Sequence, residues 1–182
     1  MGGFVSTLGQ NIFPNIQARV LMIGLDNAGK TSLRYQMKLG EFVRTCPTLA
    51  DPMDFLSYNR VDLTLWDVGG QMQARQLWQH YFENTDALIF VVDSQDRARL
   101  GEARKELETV LEDERLTGAD LLVMSNKTDL PDGVSAEKLG KELGLLERCE
   151  RRWQIQACSA VTGQGVREGL YWLTKAIKMS KA

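Results

Sequence analysis

The stretch GLDNAGKT, residues 24–31, restricts what this chain can fold into more than any other segment. Its spacing is G-x-x-x-x-G-K-[ST], carried by Gly24, Gly29, Lys30 and Thr31. The two glycines let the backbone turn back, so that its N–H groups converge on an anion. Lys30 then places a positive charge on β- and γ-phosphates, and the Thr31 hydroxyl can ligate Mg²⁺. Asp26, Asn27, Ala28 and Ser32 fill the loop and the first helical turn, and they join the expected nucleotide contacts. The apolar run RVLMIG before the motif reads as a buried strand, and TSLRYQMKL after it reads as a helix. Strand, glycine turn and helix are the context in which such a loop cradles phosphate.

A chain of 182 residues fits one domain. Its net charge of −2 excludes a large electrostatic footprint for nucleic acid. Three cysteines, Cys46, Cys149 and Cys158, have neither metal spacing nor a disulfide pattern, and they read as free thiols of a reducing compartment. Apolar runs such as ALIFVV are too short to span a membrane. Strands are expected near Val20–Ile23, Asp54–Tyr58, Val61–Trp66, Ala87–Val92, Leu121–Ser125 and Trp153–Ala157. Helices alternate with most of them. One is expected over Ala98–Glu114, with Leu100, Ala103, Leu107, Val110 and Leu111 as its buried stripe. YNR at 58–60 reads as a hairpin turn, which makes one strand pair antiparallel. The expected fold is therefore α/β: a three-layer P-loop NTPase architecture, with a mostly parallel six-stranded sheet, one antiparallel edge strand and helices on both faces. Ligands belong at the carboxyl ends of its strands.

SNKTDL follows the strand LLVM and contains N-K-x-D, with Asn126, Lys127 and Asp129. A carboxylate can accept from both N1–H and the N2 amine of guanine, and adenine has no such donor pair. The stem of Lys127 can cover the base. After the last strand, Cys158, Ser159 and Ala160 offer a backbone N–H to guanine O6. A third segment, WDVGGQ, follows another strand. Asp67 can bind Mg²⁺ through water, the Gly70 N–H can approach a γ-phosphate, and Gln71 can orient an attacking water. His80, the only histidine, reads as a structural or surface residue rather than a catalytic one.

With GLDNAGKT, Pro47–Thr48, WDVGGQ, LWQHYFENTDALIFVVDSQDR, NKTDLP and EGLYWL, the chain resembles a small GTPase of the ADP-ribosylation-factor (Arf and Arf-like) family along essentially its whole length. The resemblance implies a switch cycling between GDP and GTP. Switch I is centred on Thr48 as a Mg²⁺ ligand, and switch II runs from Asp67 to about Tyr81. It implies slow hydrolysis without a partner's arginine. Arg44 is not placed as an internal finger, because related heterotrimeric subunits carry theirs three residues before the threonine, where this chain has Thr45. An exchange factor, an activating protein and effectors are implied partners.

The first residues, MGGFVS, fit the signal for N-myristoylation of Gly2. Phe4, Val5, Leu8, Ile12 and Phe13 then fall mostly on one side of a helix that Pro14 ends. Residues 1–16 are thus expected to form a membrane arm and 17–182 the GTPase domain. By resemblance the arm docks with GDP and is released with GTP. The expected location is the cytosolic face of membranes, the Golgi first, in vesicle traffic or organelle organisation. The chain departs from the family after Thr48, where Gly-Phe-Asn is usual and Ala50, Asp51 and Pro52 stand near that place. Asn27 and Asp62 are milder departures. Three readings follow: a membrane-recruited switch, a nucleotide-binding adaptor that scarcely switches, and a P-loop kinase or ATPase. Asn126–Asp129 and the lack of a second substrate domain disfavour the last.

Overall fold

The computed structural model describes residues 14–43, 53–148 and 150–182. Gly2 and the rest of the arm to Phe13, the switch I positions Arg44 to Pro52, and Cys149 lie outside the described residues. Six strands form one sheet: β1 (Ile16–Ile23), β2 (Met53–Tyr58), β3 (Val61–Asp67), β4 (Ala87–Asp93), β5 (Asp120–Asn126) and β6 (Trp153–Ala157). Their order is β2-β3-β1-β4-β5-β6. Only β2 runs antiparallel, against β3, and the other four pairings are parallel. The hairpin between them turns on Asn59 and Arg60, at φ 49° and 60°. Two adjacent left-handed residues between the paired Tyr58 and Val61 make a two-residue hairpin whose twist matches its strands.

Helices cover both faces: α1 (Lys30–Leu39) and α5 (Val166–Ser180) on one, α3 (Leu100–Leu111) and α4 (Ala136–Glu142) on the other. A short α2 (Met72–Arg75) follows β3. The central strands are apolar on both sides, as a doubly covered sheet requires. Val20 and Met22 pack with Leu33, Met37, Leu170 and Leu173, whereas Leu21 and Ile23 pack with Leu107, Leu111 and Leu139. Each such side chain contributes about 1.5–3 kcal/mol by leaving water. A one-residue slip would send every one to the wrong layer, so the register is firmly set.

The expected helix over Ala98–Glu114 is shorter. Its stripe is buried as read, but regular helix spans Leu100–Leu111 between the 3₁₀ turns Arg97–Arg99 and Glu114–Leu116. At the start, the Arg99 guanidinium is held by Asp96 (2.6 Å) and by Asp26 (2.9 Å). At the end, the Asp113 carboxylate accepts from the Arg115 N–H and starts a new turn. β1 is longer than expected because its first half alternates polar with apolar residues and only its second half is a continuous apolar run.

Candidate nucleotide site

Five strand ends deliver the expected residues to one edge of the sheet. β1 leads into Gly24–Gly29, β3 into Asp67–Gln71, β4 ends on Asp93, β5 on Asn126, and β6 leads into Cys158–Ala160. Each lies at a carboxyl end, where an open α/β sheet binds ligands.

The phosphate side is built by backbone. Gly29 has φ +91°, and a Cβ there would lie 2.3 Å from Asn126 Nδ2, so glycine is required both for the turn and for the close approach. Asn27 adopts φ 62°, a left-handed conformation that asparagine tolerates. α1 starts on Gly29 with no side-chain cap, which leaves its first N–H groups pointing at the loop. The Lys30 ammonium is nearly buried and donates to the carbonyls of Gly24 (2.9 Å) and Leu25 (2.8 Å). Burial pulls its pKa down to about 8, against the opposing pull of Asp67 and Asp26.

Asp67 is buried, and desolvation raises its pKa, opposed by a hydrogen bond with Thr31 and by the charges of Lys30 and Arg34. Its Oδ2 has no hydrogen-bond partner among the described residues. A hydroxyl beside one buried, under-coordinated carboxylate fits Mg²⁺, which takes one or two protein oxygens and completes its shell with phosphates and water. No cluster of three or more His, Cys, Asp or Glu side chains occurs among the described residues, so no all-protein metal cage is present there. Thr48, the other expected ligand, lies outside them.

Gly70 sits directly on the phosphate loop. A Cβ there would lie 2.3 Å from the Gly24 carbonyl oxygen and 2.5 Å from Lys30 Nζ. Its carbonyl accepts from the Asp26 N–H (3.1 Å) and from Arg75 Nε (2.9 Å). The buried Arg75 guanidinium also bonds Glu102 (2.7 Å) and Glu106 (3.0 Å) on α3. Gln71 is exposed at the start of α2, and its backbone carbonyl accepts from the N–H groups of Ala74 and Arg75.

On the base side, Asn126 is a brace. Its Nδ2 donates to the Ala28 carbonyl (2.9 Å), and its Oδ1 accepts from the Ala160 N–H (3.0 Å). It therefore locks the phosphate loop to the last loop of the site. Lys127 is left-handed at φ 68°, and its ammonium pairs with Asp93 (2.6 Å). Exposed Asp129 accepts from Ser159 Oγ (2.6 Å) through one of its two carboxylate oxygens. The sequence offers a backbone N–H of Cys158–Ala160 to guanine O6. Here all three are engaged, with Ser125 O, Gln164 O and Asn126 Oδ1 in turn.

Arg34, Arg75, Arg99 and Asp93 escaped the sequence reading. Their signals were faint: Arg34 lies one helical turn beyond Lys30, and Asp93 ends an apolar strand. His80 is exposed, as its surface reading implied. Burial raises the Cys158 thiol to about 12. It is therefore expected to resist iodoacetamide at pH 8 until the fold is opened with denaturant. Peptide mapping by mass spectrometry checks this, and labelling in the native state would contradict it.

The profile of the ADP-ribosylation factor family matches residues 4–177. Among solved structures, the chain is similar to the small GTPase Arl6 (BBS3) from Trypanosoma brucei with the nucleotide analogue GppNp bound. The two share 32% identity at a TM-score of 0.82, over 90% of this chain and 99% of that one. A family match along nearly the whole length, on a sheet that gathers the loop, the carboxylates and the N-K-x-D segment at one edge, makes this chain a member of the ADP-ribosylation factor family of small GTPases, which bind GTP and hydrolyse it.

Proposed function

We propose that this GTPase is a membrane-recruited switch acting in vesicle traffic or organelle organisation, the Golgi first among its membranes. The observation that carries the switch is the seating of Gly70 on the phosphate loop, against Lys30 and the Asp26 N–H. A third phosphate bound by Lys30 must move that turn, and α2 moves with it.

In this reading the N–H groups of Asp26–Ser32 hold the α- and β-phosphates. Lys30 releases its two carbonyls to take phosphoryl oxygens, and the Gly70 N–H meets the γ-phosphate. Thr31, Thr48 and, through water, Asp67 would hold Mg²⁺, which would supply positive charge to the phosphates. Asp129 reads guanine N1–H and N2, the Lys127 stem covers the base, and Ser159 orients Asp129. Gln71 swings inward to orient the attacking water. Neither Arg75 nor Arg99 is spare for the γ-phosphate, since their guanidinium groups are spent on Glu102, Glu106, Asp96 and Asp26. Intrinsic hydrolysis is therefore slow, on the order of 10⁻⁴ s⁻¹ or below, until a partner supplies an arginine.

The segment before β1 serves as the membrane arm of the domain; the expected boundary after residue 16 falls inside the sheet, because Ile16 already pairs with Val61. A myristoyl chain on Gly2 holds membranes only marginally, with K on the order of 10⁴ M⁻¹, and the apolar face of the arm adds the second signal. Trp66 and Tyr81, with ring centroids 5.4 Å apart, form part of the surface offered to effectors. Asp51, in the stretch after Thr48 where the family usually carries an aromatic residue, selects against purely apolar partners.

A second reading, an adaptor that scarcely switches, is favoured by one observation. The Asp62 carboxylate accepts from Asn15 (2.9 Å), Gln17 (2.8 Å) and Ser57 (2.6 Å), tying β1 to the β2–β3 hairpin. The Asn59 amide at the hairpin tip is tied in turn to Thr174 (3.2 Å) and Lys178 (3.1 Å) of α5. Flotation of acylated protein on liposomes separates the two. The switch predicts strong flotation with a non-hydrolysable GTP analogue and weak flotation with GDP, and equal flotation in both states supports the adaptor.

A further inference from the structure

Arg34 is a buried cation that phosphate binding leaves unused. It lies four residues after Lys30 and three after Thr31, on the same face of α1. Its side chain is only 7% exposed, and Nε lies 3.7 Å from Asp67 Oδ2 and 3.5 Å from Asp54 Oδ2. Arg34 Nε and Asp67 Oδ2 are both buried without a hydrogen-bond partner among the described residues. The guanidinium carbon also lies 5.0 Å from the centroid of the Tyr35 ring. The other Asp54 oxygen pairs with Lys38. Two cations and two carboxylates thus alternate from the surface inward: Lys38, Asp54, Arg34, Asp67.

A buried carboxylate without a counter-charge is costly. In a site whose carboxylate meets only a metal, loss of the metal leaves that charge uncompensated. Here Asp67 always has a cation beside it. The same cation opposes the metal, because a divalent ion at Asp67 sits close to a fixed positive charge in a medium that screens far less than water.

We propose that Arg34 is a positioning residue for the magnesium side of the site. It holds and neutralises the Asp67 carboxylate independently of the metal, so that removing magnesium releases less nucleotide, and more magnesium is needed to reach half of its effect, than Thr31 and Asp67 alone would impose. The proposal rests on those two residues being the magnesium side. Its consequence is regulatory: nucleotide release from this chain is governed less by the metal than by contacts of the switch segments.

The test is release of a fluorescent GDP analogue from the full chain, followed from excess EDTA up to millimolar free Mg²⁺. Arg34→Leu is expected to release the analogue faster than the wild type in excess EDTA, and to move the magnesium concentration that gives half-maximal retention about tenfold lower. Arg34→Lys, which keeps the charge, should stay within about threefold of the wild type. Asp54→Asn removes the outer carboxylate, turns the full charge of Arg34 toward Asp67, and should move the half-point upward. A half-point in Arg34→Leu that is unchanged or higher, in a protein with wild-type melting temperature, overturns the proposal. Should Arg34→Leu not fold, Asp54→Asn decides, and an unchanged or lower half-point overturns it. Magnesium-sensitive wild type with an unmoved Arg34→Leu sinks this proposal alone. Insensitivity of both proteins to magnesium sinks it together with the assignment of Thr31 and Asp67.

Discussion

Exchanging Asn126 for Ala should lower the stability of the folded protein by about 2–5 kcal/mol and take most nucleotide affinity with it. The amide bridges two loops that are far apart in sequence, with the Ala28 carbonyl on one side and the Ala160 N–H on the other. Ala28 and Ala160 are both buried, so truncation leaves a donor and an acceptor without partners where water enters poorly. Each orphaned group costs about 1–3 kcal/mol, and a small cavity adds to that. Gly29 packs against the same amide, so the phosphate loop loses its back wall as well. Urea denaturation with and without GDP measures both effects. A loss below about 1 kcal/mol in the absence of nucleotide would show that the two loops hold their positions without the brace.

Asp129→Ala should behave in the opposite way, leaving stability almost unchanged while weakening base recognition strongly. Asp129 is exposed, and its one internal bond is to Ser159 Oγ, which also accepts from the N–H groups of Val161 and Thr162. Little is orphaned when the carboxylate goes. With guanine in place, two charge-assisted hydrogen bonds disappear, each worth about 1.5–3 kcal/mol. GDP affinity should fall about 10²- to 10⁴-fold, and the preference over ADP should shrink with it. Competition binding against a fluorescent GDP analogue checks this. Retained preference for guanine would move recognition away from the N-K-x-D segment. The two variants thus separate residues three positions apart: Asn126 bridges two loops within the protein, and Asp129 is proposed to read the ligand.

The fold was legible because its signals are local and strong. Apolar runs such as Leu88–Val92 and Leu121–Met124 belong to strands covered on both faces, and the stripe of α3 has helical spacing. YNR located the one antiparallel pair through two residues that must be left-handed. Boundaries were less legible, since the ends of α3 are set by Arg99 reaching Asp26 and Asp113 capping a new turn, both side-chain events without periodicity. The same limit applies to the site. Motif spacing located Lys30, Asp67, Asn126 and Asp129, because each must meet a ligand of fixed shape. It could not reveal that Asn126 spends both ends of its amide inside the protein, or that Arg75 ties the Gly70 turn to Glu102 and Glu106. Those partners lie 27 to 98 residues apart, and only the packed sheet brings them together.

The most direct test of the whole account is calorimetric titration of nucleotide-stripped protein with GDP, a non-hydrolysable GTP analogue and ATP in millimolar Mg²⁺. The site described here predicts tight binding of both guanine nucleotides, with ATP weaker by about 10³-fold or more. Equal affinity for ATP, or retention of none of the three, would contradict it.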